Sequence, residues 1–273
     1  MSKPQKIVGI SDKEFIYYIT RAKNPESAPI LLCFHGWNGA NGAQTRGEKD
    51  YGDTNWNTVF FLDYWGFNRM GCWFLGEGAN YFFLSLIDLM IEELLTKHNL
   101  KGEIYTYGSS MGGYGAAFHG IRLKVPSIVL DIPQTCLLGN TYGRYHSGKL
   151  QDVFSNDIVE YVNSLAGVDD CESTYIHKSF FDISTLLESA VDEYKPMIFI
   201  KQSRFDCSDG GNGNTYIADQ TQRFVNTLIR RASPFQLVVE NRNAHITTWW
   251  LDDAVRLIGN GICTVQGEGD IKL

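Results

Sequence analysis

Long apolar runs are missing from this chain of 273 residues. The N-terminal stretch MSKPQKIVGISDKEF holds only a short one, from Ile7 to Ile10, too short for a signal-peptide core or a membrane span. The expectation is a cytoplasmic protein without a transmembrane segment. Positive charge is also scarce. The 24 Lys plus Arg face 31 Asp plus Glu, and a net charge of -7 supplies no field to hold a nucleic-acid backbone. The six cysteines, Cys33, Cys72, Cys136, Cys171, Cys207 and Cys263, form no C-x-x-C pair and no regular framework, which reads as reduced, mostly buried thiols. Internal repeats and low-complexity linkers are absent. What remains is 44% hydrophobic and 20% charged, the balance of a globular protein with a sizeable core. The length is compatible with one domain over residues 1–273.

Several elements can be read from periodicity. Lys6 to Arg21 carries two β-prone runs around Ser11-Asp12-Lys13, an opening hairpin. The short apolar run PILLCF, Pro29 to Phe34, has the pattern of a strand buried on both faces of a parallel sheet. Asn38 to Asn57 is rich in Gly, Asn, Asp and charge, and reads as a surface loop. A weaker strand is expected at Cys72 to Leu75 and an amphipathic helix at Tyr81 to Leu95. Glu103 to Tyr107, GSSMGG and YGAAFHGIRL then read as strand, tight turn and helix, followed by a buried strand at Ser127 to Ile132. Pro133 to Lys195 has no strong strand. Its segments DIVEYVNSLAG and DISTLLESAVDEY look helical, so it reads as a helical insertion capping the site. Strands Pro196 to Lys201 and Phe235 to Glu240 flank a helix at Asp219 to Arg231, and Thr247 to Ile258 closes with another helix. Strands alternating with helices imply a mostly parallel sheet flanked by helices, with the binding crevice at the carboxyl ends of the strands.

Gly108-Ser109-Ser110-Met111-Gly112 fits G-x-S-x-G, in which small neighbours let a serine sit on a strained strand-to-helix turn. Chance alone produces this pattern often enough that its context, strand before and helix after, must carry the reading. A serine hydroxyl is a weak nucleophile at neutral pH and needs a base, usually a histidine held by a carboxylate. Of six histidines, His245 alone follows a late strand, where the order serine, acid, histidine places the base. Asp206, after strand MIFIK, is the expected acid; Asp209 and Asp131 are the alternatives. The acidic spacing of DCSDGGNGN, Asp206 to Asn214, does not fit a calcium loop, and no metal site is expected. Backbone N–H groups of Trp37, after His35-Gly36, and of Met111 are candidates for stabilising a developing oxyanion. His35, Tyr114, Arg144 and Arg204 are candidate substrate contacts, and Arg46 and Lys49 join the two arginines as candidate phosphate partners. Trp37, Tyr51, Trp56, Tyr142 and Tyr145 are loop aromatics expected near the mouth of the site.

Through YGSSMGGYGAAFHG, LCFHGWNG, SRFDCSD and NAHITTWW the chain resembles the α/β-hydrolase superfamily over nearly its whole length. The fuller string SSMGGYGA is similar to bacterial capsule and surface-polysaccharide O-acetyltransferases of that fold. The resemblance implies Ser110, His245 and Asp206 as a catalytic set, acetyl-CoA as a donor co-substrate with no tightly bound cofactor, and a saccharide hydroxyl as acceptor. A carboxylester hydrolase with the same residues is the alternative function, and a non-catalytic binding member of the fold a third.

Overall fold

The computed structural model describes residues 3–9, 13–48, 55–66, 69–77, 80–137, 182–206, 217–242, 245, 247–249 and 251–264. Its core is an eight-stranded sheet: β1 (Gln5–Val8), β2 (Glu14–Thr20), β3 (Ile30–Phe34), β4 (Asn57–Phe61), β5 (Ile104–Ser109), β6 (Ser127–Asp131), β7 (Met197–Ser203) and β8 (Phe235–Glu240), in the order β1-β2-β4-β3-β5-β6-β7-β8. β1 pairs with β2, and β2 with β4, antiparallel; the other neighbours are parallel. The first two strands are the expected hairpin. The central strands are the ones whose sequences read as continuous apolar runs, because a strand covered on both faces has no position for a polar side chain.

Alternation sends neighbouring residues of one strand to opposite faces. In β3, Ile30, Leu32 and Phe34 join one core with Phe15, Phe61, Phe74 and Tyr114, while Leu31 and Cys33 join the other with Phe60, Tyr107 and Val129. The helices divide accordingly. α2 (Phe82–Thr96) and α3 (Met111–Arg122) cover the first face, with α4 (Ile183–Ser189) and α5 (Gln222–Arg230) beside them; α1 (Ala40–Glu48) and α6 (Leu251–Thr264) cover the second. α4 starts where the buried Asp182 carboxylate accepts from the Ser184 N–H, an N-cap worth about 1 kcal/mol. Among the described residues no helix is long and apolar enough to cross a membrane.

Several expectations are corrected. Residues 40–48 are helical although the sequence reads as loop. Gly42, Gly47 and a lack of apolar periodicity hide a helix whose only buried described side chain is Ala43, and the Ala43 N–H to Gly39 C=O bond closes its first turn. Cys72 to Leu75 is not a strand. Trp73 and Phe74 have φ of 54° and 57°, and the run forms a tight turn closed by a Leu75 N–H to Cys72 C=O bond. The strand of this region is β4, upstream of it. Trp56 is not at the mouth: it is buried against Tyr105, ring centroids 5.1 Å apart, at the amino ends of β4 and β5. The last helix begins at Leu251, after a non-helical stretch that carries Thr247 to Trp249. Most of the 133–195 insertion, including DIVEYVNSLAG, Tyr142, Arg144 and Tyr145, lies outside the described residues, as do Lys49, Tyr51, Asp209 and the side chain of Arg46. Cys33, Cys72 and Cys136 are buried.

Candidate functional site

The sheet register aligns the strand ends that carry polar residues. Phe34 lies beside Gly108, Ser109 beside Asp131, Asp131 beside Lys201, and Ser203 beside Glu240. Each following loop therefore opens on one edge. Between β5 and α3, Ser110 has φ 54° and ψ -119°, a sparsely populated conformation for a residue with a side chain. It is held there from both sides: its N–H donates to the Asp131 carbonyl at 3.0 Å, and its carbonyl accepts from Tyr114 and Gln134 N–H. Two glycines make the turn possible by close approach. A Cβ on Gly108 would sit 2.0 Å from the Gly112 carbonyl oxygen, and one on Gly112 would sit 2.2 Å from the Phe34 carbonyl oxygen.

Ser110, His245 and Asp206 form one hydrogen-bonded line. His245 Nε2 is 2.7 Å from Ser110 Oγ, and Nδ1 is 2.6 Å from Asp206 Oδ2. A carboxylate can only accept, so Nδ1 carries the proton toward Asp206, and in the neutral ring Nε2 is left to accept the serine O–H. Asp206 is fully buried, whereas the His245 side chain keeps 24% of its surface exposed. Asp131, the described alternative acid, is committed elsewhere. Its Oδ2 accepts from the backbone N–H of Thr248 at 2.7 Å and Trp249 at 3.1 Å, pinning the segment just after His245. Burial pushes the Asp131 carboxyl up to about 6, with the two N–H donors and Lys201 pulling the other way. Further ties hold the same segment: Tyr107 O–H donates to the Trp249 carbonyl at 2.6 Å, Ser109 Oγ and Thr247 Oγ1 are 2.5 Å apart, and Thr248 O–H donates to Glu240, itself paired with Lys201 at 2.8 Å.

The loop after β3 carries Trp37. His35 Nδ1–H donates to the Gly36 carbonyl at 2.8 Å and Nε2 accepts from the Asp63 N–H at 2.9 Å, so both ring nitrogens serve the backbone. Burial lowers the His35 pKa to about 4 and keeps the ring neutral, as these bonds require. His35 thus shapes the loop instead of offering a free nitrogen to substrate. Tyr114 is likewise corrected: it is fully buried in the core and stacks on Phe118. No hydrogen bond among the described residues uses the Trp37 backbone N–H. The Met111 N–H is the first of α3, where an intrahelical partner is missing by geometry and the helix dipole is positive. The Trp37 indole donates to Met70 Sδ at 3.1 Å and packs on Trp73, whose own indole donates to Gln134. Arg204 is exposed, its guanidinium 5.2 Å over the Phe205 ring, on a cleft of about 590 Å³ shared with Ile217, Val239 and Asn241.

Asp63 escaped the sequence reading. This fully buried carboxylate accepts from the N–H groups of Cys72 and Phe74 at 2.7 and 3.0 Å and holds the left-handed turn that backs Trp37 and Met111. Burial raises its pKa to about 6. The one available signal was an acidic residue directly after the apolar run TVFFL. Among the described residues no group of three or more His, Cys, Asp or Glu is placed to hold a metal ion.

No protein-family model matches the chain, and no curated protein matches it by sequence. Solved structures do match in shape. The chain resembles part of the glycosylation-associated protein complex of Streptococcus agalactiae, with a TM-score of 0.61 at 16% identity, covering 96% of this chain but only 45% of that one. It resembles the capsule O-acetyltransferase of Neisseria meningitidis serogroup A, with a TM-score of 0.55 at 17% identity over 93% of this chain and 91% of that one. A fluorophosphonate-binding serine hydrolase of Staphylococcus aureus gives a TM-score of 0.61 at 12% identity over 98% and 99%. The chain has the α/β-hydrolase fold. In α/β-hydrolase terms the Ser110 turn lies between a central parallel strand and the helix that follows it, with Asp206 after β7 and His245 after β8.

Proposed function

We propose that this chain is a serine acyl-transfer enzyme. The observation that carries the reading is the line Ser110 Oγ, His245 Nε2/Nδ1, Asp206 Oδ2 built on a strained turn. Ser110 Oγ attacks an acyl carbonyl carbon while its proton passes to His245 Nε2, and Asp206 orients the imidazole and balances its charge. The carbonyl oxygen becomes an oxyanion that the N–H groups of Trp37 and Met111 stabilise; one such donor is worth about 3 kcal/mol of barrier. Collapse expels the leaving group, which takes the proton from His245 and leaves an acyl-enzyme. An acceptor hydroxyl then loses its proton to His245 and attacks the ester carbonyl; the acyl–Oγ bond breaks, and Ser110 Oγ takes that proton back from His245 as the acylated acceptor leaves.

The finer reading is O-acetylation of a bacterial capsular or surface saccharide from acetyl-CoA in the cytoplasm. Support comes from the SSMGGYGA resemblance and from the likeness to the Neisseria capsule O-acetyltransferase, one structure of which is a complex with CoA. Arg204, exposed beside the Asp206 loop, would suit a donor phosphate. The second reading is a carboxylester hydrolase, in which water takes the acceptor's place; the likeness to the Staphylococcus hydrolase and the partial exposure of His245 favour it.

Intact-protein mass spectrometry after incubation with acetyl-CoA separates them. An acetyl adduct present in wild type, absent in Ser110→Ala and discharged by added oligosaccharide is the result expected for transfer. Adduct discharge at the same rate without any saccharide would move the assignment to the hydrolase, and no adduct together with no aryl-ester cleavage would overturn acyl chemistry.

A further inference from the structure

Beyond the Trp37 loop, on the side away from His245, the same edge of the sheet holds a second groove of about 780 Å³, within the range of small-molecule sites. Its floor is the end of the β2 and β4 ladder, where Leu62 N–H donates to the Ile16 carbonyl. One wall is the loop and first turns of α1, with Asn38, Asn41 and Gln44 at intervals of three residues; the other is Tyr64, Trp65 and Arg69. We infer that this groove binds the saccharide acceptor, an inference that rests on the transferase reading above.

The lining chemistry selects the ligand. Asn38 and Asn41 are exposed, and no hydrogen bond among the described residues uses their side-chain amides. An amide offers both donors and acceptors, which matches the dual character of a sugar hydroxyl. Tyr64 and Trp65 stack with centroids 5.2 Å apart, a Tyr64 O–H to Glu14 carbonyl bond of 3.0 Å locks the platform, and the exposed Arg69 guanidinium, 5.7 Å over the Tyr64 ring, swings aside for a sugar to sit on that face. A rigid ring supplies apolar area for the C–H faces of a pyranose at small entropic cost. Of the two charged residues on the lining, Glu14 is paired with Lys6 at 3.2 Å and Arg69 is a single cation, too little field to hold a polyphosphate. Its apolar floor, Ile16 and Leu62, is too small for a lipid chain.

Position links the groove to the reaction. β4 and β5 are the two neighbours of β3, so their ends lie roughly 10 Å apart at one strand spacing each. Asn38 follows Trp37 directly, with its N–H bonded to the Met70 carbonyl at 2.7 Å. A sugar chain seated on Tyr64 would cross the Trp37 loop and bring a neighbouring ring's hydroxyl to the acyl-enzyme.

The test is titration of the Ser110→Ala protein with chitotriose and maltotriose, followed by ligand-observed NMR, alongside Asn41→Ala and Tyr64→Ala in the same background. Asn41 is exposed on α1, so its truncation leaves folding intact. Saturable binding of at least one sugar, weakened about tenfold or more in both variants at unchanged melting temperature, is the expected result. Equal binding in folded variants would overturn the groove assignment, as would no binding of either sugar. Fluorophosphonate labelling of Ser110 in wild type is run in parallel. Sugar binding lost in the variants with no labelling would keep the groove and discard the acyl-transfer reading; labelling without sugar binding would do the reverse.

Discussion

Asp131 offers a quantitative check on how the His245 segment is held. Its carboxyl is raised from 3.8 to about 6 by burial, so the native state binds that proton more tightly than the unfolded chain. The stabilisation from this group is fully present below pH 3.8 and is lost as pH rises through about 6. At neutral pH the penalty approaches about 3 kcal/mol, and between pH 5 and pH 8 it grows by about 1 kcal/mol. Asp131→Asn keeps an oxygen to accept from Thr248 and Trp249 N–H but cannot ionise. Urea unfolding of both proteins at a series of pH values isolates the effect, because Asp63, which titrates in the same range, is common to both and cancels. The stability of Asp131→Asn relative to wild type should rise by about 1 kcal/mol from pH 5 to pH 8. A difference independent of pH would refute the assignment. Asp131→Ala leaves two backbone donors without their acceptor, at about 1–3 kcal/mol each, and should also lower the turnover of an aryl ester.

Ser110→Gly relieves the strained turn and should raise stability by about 1 kcal/mol in the same unfolding assay while abolishing covalent labelling. Gly112→Ala drives a Cβ into the Phe34 carbonyl and should cost more than about 3 kcal/mol or prevent folding, read by thermal melting. Asp206→Asn should keep the fold and lower aryl-ester kcat by about 10⁴, because an amide can hold the ring in the wrong tautomer; an effect below tenfold would point to another acid.

How much of this was legible in the sequence depends on how local the determinant is. β3, β5, β6 and β7 could be read from single windows, since burial on both faces leaves an apolar run in one place. Gly108 and Gly112 were legible because close backbone approach admits no other residue. The turn at Cys72 to Leu75 was misread because its apolar residues face a core contributed by β3, β4 and α2, while its backbone is shaped by the distant carboxylate of Asp63. α1 was hidden for a related reason: packing against β2 and β4, not its own pattern, settles its conformation. His35 and Tyr114 stood next to the right motifs, but whether a side chain faces the cleft or the interior depends on tertiary partners that adjacency does not reveal. The choice between Asp131 and Asp206 was of the same kind. Asp131 is the last residue of β6 and Asp206 lies three residues beyond β7, both at the carboxyl edge, and only the path of the segment carrying His245 shows which carboxylate meets the ring and which meets the backbone.

The most direct measurement is labelling of the folded protein with a fluorophosphonate, followed by peptide mapping of the adduct. A single phosphonylated residue, Ser110, with labelling lost in Ser110→Ala and slowed at least a hundredfold in His245→Ala, is the result expected if the hydroxyl is activated through the imidazole. A folded wild-type protein that takes no label, or one that carries it at another residue, would contradict the assignment of Ser110 as nucleophile.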